Sequence, residues 1–217
     1  MTSQIRLGAI FWVLTIEFFV AQFITQAAWP AYSMVLDDIS LLGVTTCGAF
    51  TNPAPGGTAL VCSPLSLVFN VGMAVNGLLV VLGVWFTRTL WPQGKWTVAA
   101  LWLLALGGDG SMLVGIFPLN TILPLHMFGA VLSLGVACFG FFLLAAVLWR
   151  HHRTFALYTL ATGIMTLGAF VLYVLEIYVG GRGTIERVAA WPHTIWYMAT
   201  GALILGGYFK SSAASLR

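Results

Sequence analysis

The sequence predicts an all-α integral membrane protein, built as a six-transmembrane-helix bundle. The first observation behind this prediction is composition: of 217 residues, 60% are hydrophobic and only 7% are charged, and the mean hydropathy is +0.97. Soluble domains carry about 25% charged residues, so this chain has too few for a water-facing surface. The second is spacing. A bilayer core about 30 Å thick needs about 20 apolar residues per helix, and six such stretches use most of the chain.

These stretches predict six spans within a single membrane domain that covers residues 1–217. In chain order the predicted spans are residues 8–28, 65–86, 97–117, 122–149, 155–179 and 191–209. The first stretch is longer than the apolar part of a cleaved signal peptide, so we expect it to be retained as a span. Pro118 and Pro124 separate the third span from the fourth, because proline ends helices.

The basic residues predict the orientation. If the N-terminus is cytoplasmic, most of them fall in cytoplasmic segments: Arg6, Arg88, Lys95, Arg150, Arg153, Lys210 and Arg217. Only Arg182 and Arg187 fall outside. Because cytoplasmic loops are enriched in Lys and Arg, we predict a multi-pass protein of the cell membrane with both termini cytoplasmic. These basic residues are dispersed in short segments and do not form the continuous basic patch of a nucleic-acid-binding protein.

A long first extracytoplasmic loop, residues 29–64, follows from this orientation. It contains Cys47 and Cys62, and an oxidising compartment favours a disulfide between them. The alternative is two free thiols. Residues 52–57, rich in Pro and Gly, predict a turn within this loop.

Ionisable side chains inside a membrane are costly, so each is a candidate for function. Glu17, Asp109 and Glu176 fall within predicted spans, and His126 and His193 fall at the outer starts of two spans. The predicted orientation brings most of these groups toward the outer side of the membrane. We therefore take Glu17, Asp109, Glu176 and His193 as candidate ligand-binding residues.

Asp109 is the strongest single candidate, because it lies in the glycine-rich segment 107–111. Glycines allow another backbone or a ligand to approach closely. Ser111 follows directly and would be a nucleophile if His126 lay within reach as its base. Asp109, Ser111 and His126 are thus the candidate catalytic residues, and close helix packing is the alternative explanation of the glycines.

A zinc site is a further hypothesis. Two imidazoles with one or two carboxylates, and water in an open position, suit zinc. The candidate ligands are His126, His193, Asp109 and Glu176. The alternatives are that these carboxylates pair with Arg182, Arg187 or backbone groups, or that they serve a binding or proton-relay role without a metal.

Two pairs of charged neighbours have structural interpretations. Glu186 and Arg187, in the last outer loop, predict a structural ion pair that locks the outer face. Asp37 and Asp38 predict the cap of a short helix after Met34, because carboxylates favour helix N-termini.

Three stretches resemble a known family. They are YSMVLDDISLLGV at Tyr32–Val44, GDGSMLVGIFPLNT from Gly108 with His126 beyond it, and GTIERVAAW at Gly183–Trp191. Their order and placement resemble the multi-pass membrane proteins of the domain of unknown function 998 family, over nearly the whole chain. The resemblance implies a six-helix membrane fold and no agreed activity.

Two functions remain open. The first is a membrane protein that binds a lipid-like or small apolar ligand in an outward-facing cavity, or that supports a complex with a membrane-protein partner. The second is an intramembrane metal-dependent lipid hydrolase, which requires Asp109, His126, Glu176 and His193 to meet at one point. A transporter would need inverted repeats and a channel would need a polar stripe, and the sequence favours neither.

Overall fold

The computed structural model describes residues 1–51 and 58–209. Within these ranges the body is helical, and the α-helices are α1 Ser3–Leu14, α2 Glu17–Ala27, α3 Ser66–Thr87, α4 Lys95–Ile116, α5 Leu123–Ala130, α6 Ala137–Leu148, α7 Arg153–Val174 and α8 Arg182–Leu205. A π-helical turn, Val131–Val136, joins α5 to α6, and a 3-10 helix, Ile39–Gly43, lies in the first loop. A short hairpin, β1 Gly48–Thr51 and β2 Thr58–Val61, completes that loop.

Among the described residues, five helical runs are long and apolar enough to cross a membrane. They are residues 3–27, 66–87, 95–116, 123–148 and 153–174. The first run combines α1 and α2, which are separated by a break where the Thr15 hydroxyl donates to the Trp12 carbonyl oxygen at 2.7 Å. The sixth long helix, α8, is 24 residues long but carries several charges near its start, and it is not among the five.

The helices form a closed ring. Going around it, α1 packs on α3, α3 on α4, α4 on α6, α6 on α7, α7 on α8, and α8 again on α1. We call the end with the start of α1 and residues 88–94 and 149–152 the terminal end. The opposite end, with residues 28–51, 58–65, 117–122 and 175–181, is the loop end.

The first loop folds back onto the bundle at the loop end. Ile39, Leu41 and Leu42 of its 3-10 helix are buried, and Asn70 of α3 donates to the Gly43 carbonyl oxygen at 2.9 Å. β1 and β2 pair antiparallel with Gly48 opposite Val61. The Cys47–Cys62 disulfide is confirmed, and it closes this hairpin. The turn predicted for residues 52–57 lies outside the described residues.

The last two helices differ from the predicted spans. α7 ends at Val174, before the predicted residue 179, so Glu176 lies in a turn with φ of 63° rather than in a span. α8 begins at Arg182 rather than at Trp191, because Ile185 and Ala189, one turn apart, bury one face of its first part against α7. His193 therefore lies in the body of α8 and not at a helix start.

Candidate functional site

A small polar chamber lies inside the loop-end half of the bundle, with a volume of about 70 Å³. Its polar lining comes from six segments: Ser40 of the 3-10 helix, Asn76 of α3, Ser111 of α4, His126 of α5, Ser133 of the π-turn, and Glu186, His193 and Thr194 of α8. This volume can hold several water molecules, or the polar group of a larger ligand, but not a whole lipid.

Close packing of two backbones builds the chamber floor. A Cβ atom added to Gly110 of α4 would meet the Gly129 carbonyl oxygen of α5 at 2.5 Å, so only glycine permits this approach. Just beyond, the Ser111 and Ser133 hydroxyls bond each other at 3.0 Å. Ser133 lies in the π-turn, and such turns are frequent at functional sites.

Two buried histidines share one arrangement. The Nδ1 atom of His126 lies 2.9 Å from the Phe117 carbonyl oxygen, and that of His193 lies 3.3 Å from the Ala189 carbonyl oxygen. A carbonyl oxygen only accepts, so Nδ1 carries the hydrogen in both rings. In a neutral imidazole Nε2 is then an acceptor. Both rings line the chamber and can receive a hydrogen bond from a ligand.

Asn76 is an unsatisfied polar side chain in the chamber wall. Its exposed fraction is 4%, and its Oδ1 atom has no hydrogen-bond partner within the described part of the chain. Leaving a buried polar atom unpaired costs about 1–3 kcal/mol. A ligand that completes this hydrogen bond would recover that cost.

A groove of about 420 Å³ adjoins the chamber. It lies between α5 and α7 and shares Ser40, His126, Ala130, Leu134 and Glu186 with the chamber lining. The remainder of its wall combines apolar residues, among them Met127, Val131, Phe170 and Val174, with the polar side chains of Tyr173, Glu176, Tyr178 and Arg182, the last of which is paired with Asp38. The groove and the polar chamber are thus adjacent compartments of one site.

Arg187 holds the loop over the chamber. Its exposed fraction is 5%, and its Nη1 atom donates to the carbonyl oxygens of Met34 at 2.7 Å and Asp37 at 3.1 Å. Its Nη2 atom donates to the Tyr32 hydroxyl, which donates onward to the Asp38 carbonyl oxygen at 3.0 Å. Burial raises the pKa of Tyr32, so its hydroxyl keeps the proton that it donates.

A second clamp joins the same loop to α7 and α8. Asp38 is 1% exposed, and its Oδ2 atom lies 2.7 Å from Arg182 Nη2 and accepts from the Tyr173 hydroxyl at 2.9 Å. Asp38 does occupy the N-cap position of the 3-10 helix, but its side chain makes no capping hydrogen bond there. Its carboxylate is used for the ion pair with Arg182.

Glu186 and Arg187 do not form the predicted ion pair. Glu186 instead accepts a hydrogen bond from the backbone N–H of Ile39, while Arg187 binds carbonyl oxygens and Tyr32. Successive residues of a helix point in different directions, about 100° apart, so neighbours bind different parts of the loop. Both residues still fasten the loop to α8, as a lock would.

Asp109 lies on a different face of α4 from the chamber. It shares a stripe with Trp102, Leu106 and Ile116, which are exposed, whereas Ser111 on the opposite side is 3% exposed. Within residues 1–51 and 58–209 Asp109 makes no hydrogen bond or ion pair. The glycines beside it serve packing, since Gly108 faces Gly77 of α3 and Gly107 faces Ala137 of α6.

The other predicted acidic residues lie apart from one another. Glu17 begins α2 and lies against Gly72 of α3, outside the chamber lining. Glu176 lines the groove from the turn after α7. The four predicted metal ligands therefore do not meet: the two histidines share the chamber, Glu176 lines the groove and Asp109 faces outward. In the described ranges no group of three or more His, Cys, Asp or Glu side chains is placed to hold a metal ion.

The catalytic candidates are only partly brought together. Ser111 and His126 line one chamber, but the Ser111 hydroxyl bonds Ser133 and, at 3.4 Å, the Gly107 carbonyl oxygen rather than an imidazole. Sequence reasoning missed Asn76 and Ser133. A single amide or hydroxyl in an apolar helix has no spacing signal, although the polarity of Asn76 within a span could have marked it.

The three family-like stretches meet at this site. Tyr32–Val44 forms the clamped loop, Gly183–Trp191 forms the part of α8 that clamps it, and the segment from Gly108 leads to the chamber floor and to His126. Comparisons with curated proteins and with solved structures found no match. A family model described as "Protein of unknown function (DUF998)" matches residues 13–203. The chain therefore belongs to the DUF998 family.

Proposed function

We propose that this protein binds a lipid-like ligand, which enters sideways from the membrane between α5 and α7. The observation that carries the proposal is the continuity of the groove between α5 and α7 with the polar chamber through shared wall residues. An amphipathic molecule has an apolar chain and a polar group that match these two compartments. Its chain would lie in the groove, and its polar group would reach the histidines, the serine pair and Asn76.

The proposal includes six crossings of the cell membrane, with both termini cytoplasmic. α8 has 24 residues, and at 1.5 Å per residue it is about 36 Å long, enough to span. Its charges at Arg182, Glu186 and Arg187 lie near one end and are engaged by the clamped loop. The terminal end carries Arg6, Arg88, Lys95, Arg150 and Arg153, which supports a cytoplasmic position for it. The chamber would then open toward the outer leaflet.

Binding is better supported than metal-dependent hydrolysis. The chamber offers two imidazoles, and a catalytic zinc usually has three protein ligands. Glu186 is the carboxylate in the chamber wall, and it already accepts from the Ile39 N–H. Ser111 has a serine and a carbonyl oxygen as its partners, neither of which is a general base.

Blocking the junction of groove and chamber tests the proposal. Ala130 lines both, so Ala130→Trp would fill the passage. We expect co-purifying lipid, measured by native mass spectrometry of the protein released from nanodiscs, to fall by roughly tenfold, the effect of losing about 1.4 kcal/mol of binding. Ala161→Trp, on the exposed face of α7, is the matched control and should retain lipid like the parent.

Retention of the same lipid by the Ala130→Trp protein, at the parent's stoichiometry and with an unchanged melting temperature, would contradict the proposal. A photoreactive acyl chain gives a second readout. It should crosslink to the groove residues Phe170 or Met127 in the parent protein and lose those crosslinks in the variant.

A further inference from the structure

We infer that the ligand's polar group is uncharged and bears a hydroxyl, as in a diacylglycerol or a long-chain alcohol, and is not an anionic head group. The inference rests on the proposed function and specifies its ligand class. It is drawn from the charge and the hydrogen-bonding character of the chamber wall.

The chamber wall has no cation for an anionic head group. Among its described lining residues the one carboxyl group is that of Glu186, and none is Lys or Arg. The nearby Arg182 is engaged by Asp38 and Tyr173, and Arg187 by loop carbonyl oxygens. Phosphate and carboxylate groups are recognised by available Arg or Lys, and the described chamber lining offers neither to a phosphate.

The wall instead offers acceptors. His126 and His193 have their Nδ1 hydrogens engaged by backbone carbonyl oxygens, which leaves Nε2 to accept. Asn76 adds a buried amide oxygen without a partner among the described residues. A hydroxyl group supplies the missing donor, and a fully deprotonated acid supplies none.

The Ser111–Ser133 pair can also bind a ligand hydroxyl. Each hydroxyl has one hydrogen, and the bond between Ser111 and Ser133 uses one of the two. The remaining hydrogen can go to the Gly107 carbonyl oxygen or to a ligand oxygen. The pair can therefore accept from a ligand hydroxyl or donate to it, which suits a group that does both.

The volume also favours a small head group. A chamber of about 70 Å³ has space for a few water-sized groups. A hydroxymethyl group fits that description, with the acyl chains left in the groove of about 420 Å³. The ester end of a diacylglycerol would then lie near the junction at Ala130 and Leu134.

The test is a competition between head groups on identical acyl chains. Purified protein in nanodiscs is equilibrated with dioleoylglycerol, dioleoyl phosphatidic acid and a dioleoyl lipid with an ammonium head group, and the bound fraction of each is measured by native mass spectrometry. We expect dioleoylglycerol to bind about tenfold better than either charged lipid, the discrimination expected for one well-made buried hydrogen bond.

Asn76→Leu sharpens the test. Leucine has a similar size and no acceptor, so the variant should lose most of the preference for dioleoylglycerol while its melting temperature stays equal or rises. Thr166→Val is the matched control, since it removes another buried, unpartnered oxygen from α7, outside the chamber lining. That variant should keep the parent's preference.

The outcomes distinguish the head-group assignment from the proposed lipid site. Preference for phosphatidic acid or for the ammonium lipid, or equal binding of all three, would overturn the uncharged assignment while the proposed lipid site stands. Unchanged lipid retention by the Ala130→Trp protein would instead contradict the proposed lipid site itself. If Asn76→Leu does not fold, the competition on the parent protein still decides between the head groups.

Discussion

The two ends of this bundle are built from the same helices but in opposite ways. At the terminal end Trp12, Trp91, Phe141, Phe155 and Trp196 pack ring against ring, with centroids 5.0 Å apart for Phe141 and Trp196 and 5.7 Å apart for Trp12 and Trp196. At the loop end buried arginines and carboxylates hold a loop over a cavity. The first end is a packed apolar core, and the second is a polar enclosure with space inside.

The two ends are expected to contribute differently to stability and to ligand binding. Aromatic rings bury large areas without needing charged partners, so the terminal end can close the ring of helices completely. Buried charges must be paired, and the loop supplies the Met34 carbonyl oxygen to Arg187 and the Asp38 carboxylate to Arg182. The interior of the loop end is thereby left with hydroxyl, amide and imidazole groups, the Glu186 carboxyl and free volume. A change at the terminal end should therefore affect stability and leave ligand binding intact, whereas a change at the loop end should affect both.

The largest expected effect comes from the terminal end. Trp12 is fully buried and donates from Nε1 to the Val80 carbonyl oxygen at 3.3 Å. Trp12→Ala should lower the free energy of unfolding by about 4 kcal/mol, because it leaves a cavity in a close-packed core. Thermal unfolding in detergent measures this. Lipid retention per folded molecule should be unchanged, since Trp12 is outside the chamber lining.

Trp102→Ala is the matched control for Trp12→Ala. Trp102 is 65% exposed on α4, so its removal leaves no internal cavity and should change stability little. A Trp12→Ala protein that folds normally but loses its lipid would break the comparison, because it would couple the aromatic end to the site.

The sequence predicts the helical body well, because lipid-facing helices must be apolar over their whole length. It misplaces the start of α8 for a physical reason. Arg182, Glu186 and Arg187 look like loop residues in the sequence, but each is bound by the folded first loop or by α7 and so can lie in a helix. The partners in the first loop are over 100 positions away in the chain, and local patterns do not reveal them.

The site is predicted less completely than the fold. His126, His193 and Ser111 are found because ionisable and nucleophilic groups are rare in spans. Asp109 is chosen by the same argument, but it faces outward, because α4 is apolar on every side and its sequence does not show which face meets other helices. The serine pair depends on a π-turn that brings Ser133 to Ser111, and hydropathy does not encode that turn.

The second prediction concerns the clamp at the loop end. Arg187→Met should lower the free energy of unfolding by about 3 kcal/mol, since it removes one side of a buried charged network and leaves the Met34 and Asp37 carbonyl oxygens unpaired. Unlike Trp12→Ala, it should also reduce lipid retention in the molecules that stay folded, because Ile39 and Ser40 of the clamped loop line the chamber. Thermal unfolding and native mass spectrometry measure the two effects on one preparation.

Arg153→Met is the control for the clamp. Arg153 is exposed at the terminal end and lies 5.3 Å from the Trp149 ring centroid. Exposed charges contribute about 0–1 kcal/mol, so little should change. If Arg187→Met lost stability but kept all of its lipid, the loop would be a structural element only, and the link between clamp and chamber would be wrong.

The smallest effect should come from the residue that the sequence favours most. Asp109 and Ser111 are two positions apart on α4 but lie on different faces of the helix. Asp109 is on the face that points outward, and Ser111 is on the face that lines the chamber. Asp109→Leu should change the free energy of unfolding by less than about 1 kcal/mol, because a carboxyl on the outer stripe is also exposed to lipid when the helices separate, and the cost largely cancels. Lipid retention should remain at the parent's value. Ser111→Val, which removes a chamber hydroxyl, should lower retention under the same conditions. If Asp109→Leu lowered retention as much as Ser111→Val, the outward face of α4 would belong to the site, and the division between a binding face and a lipid face would be wrong.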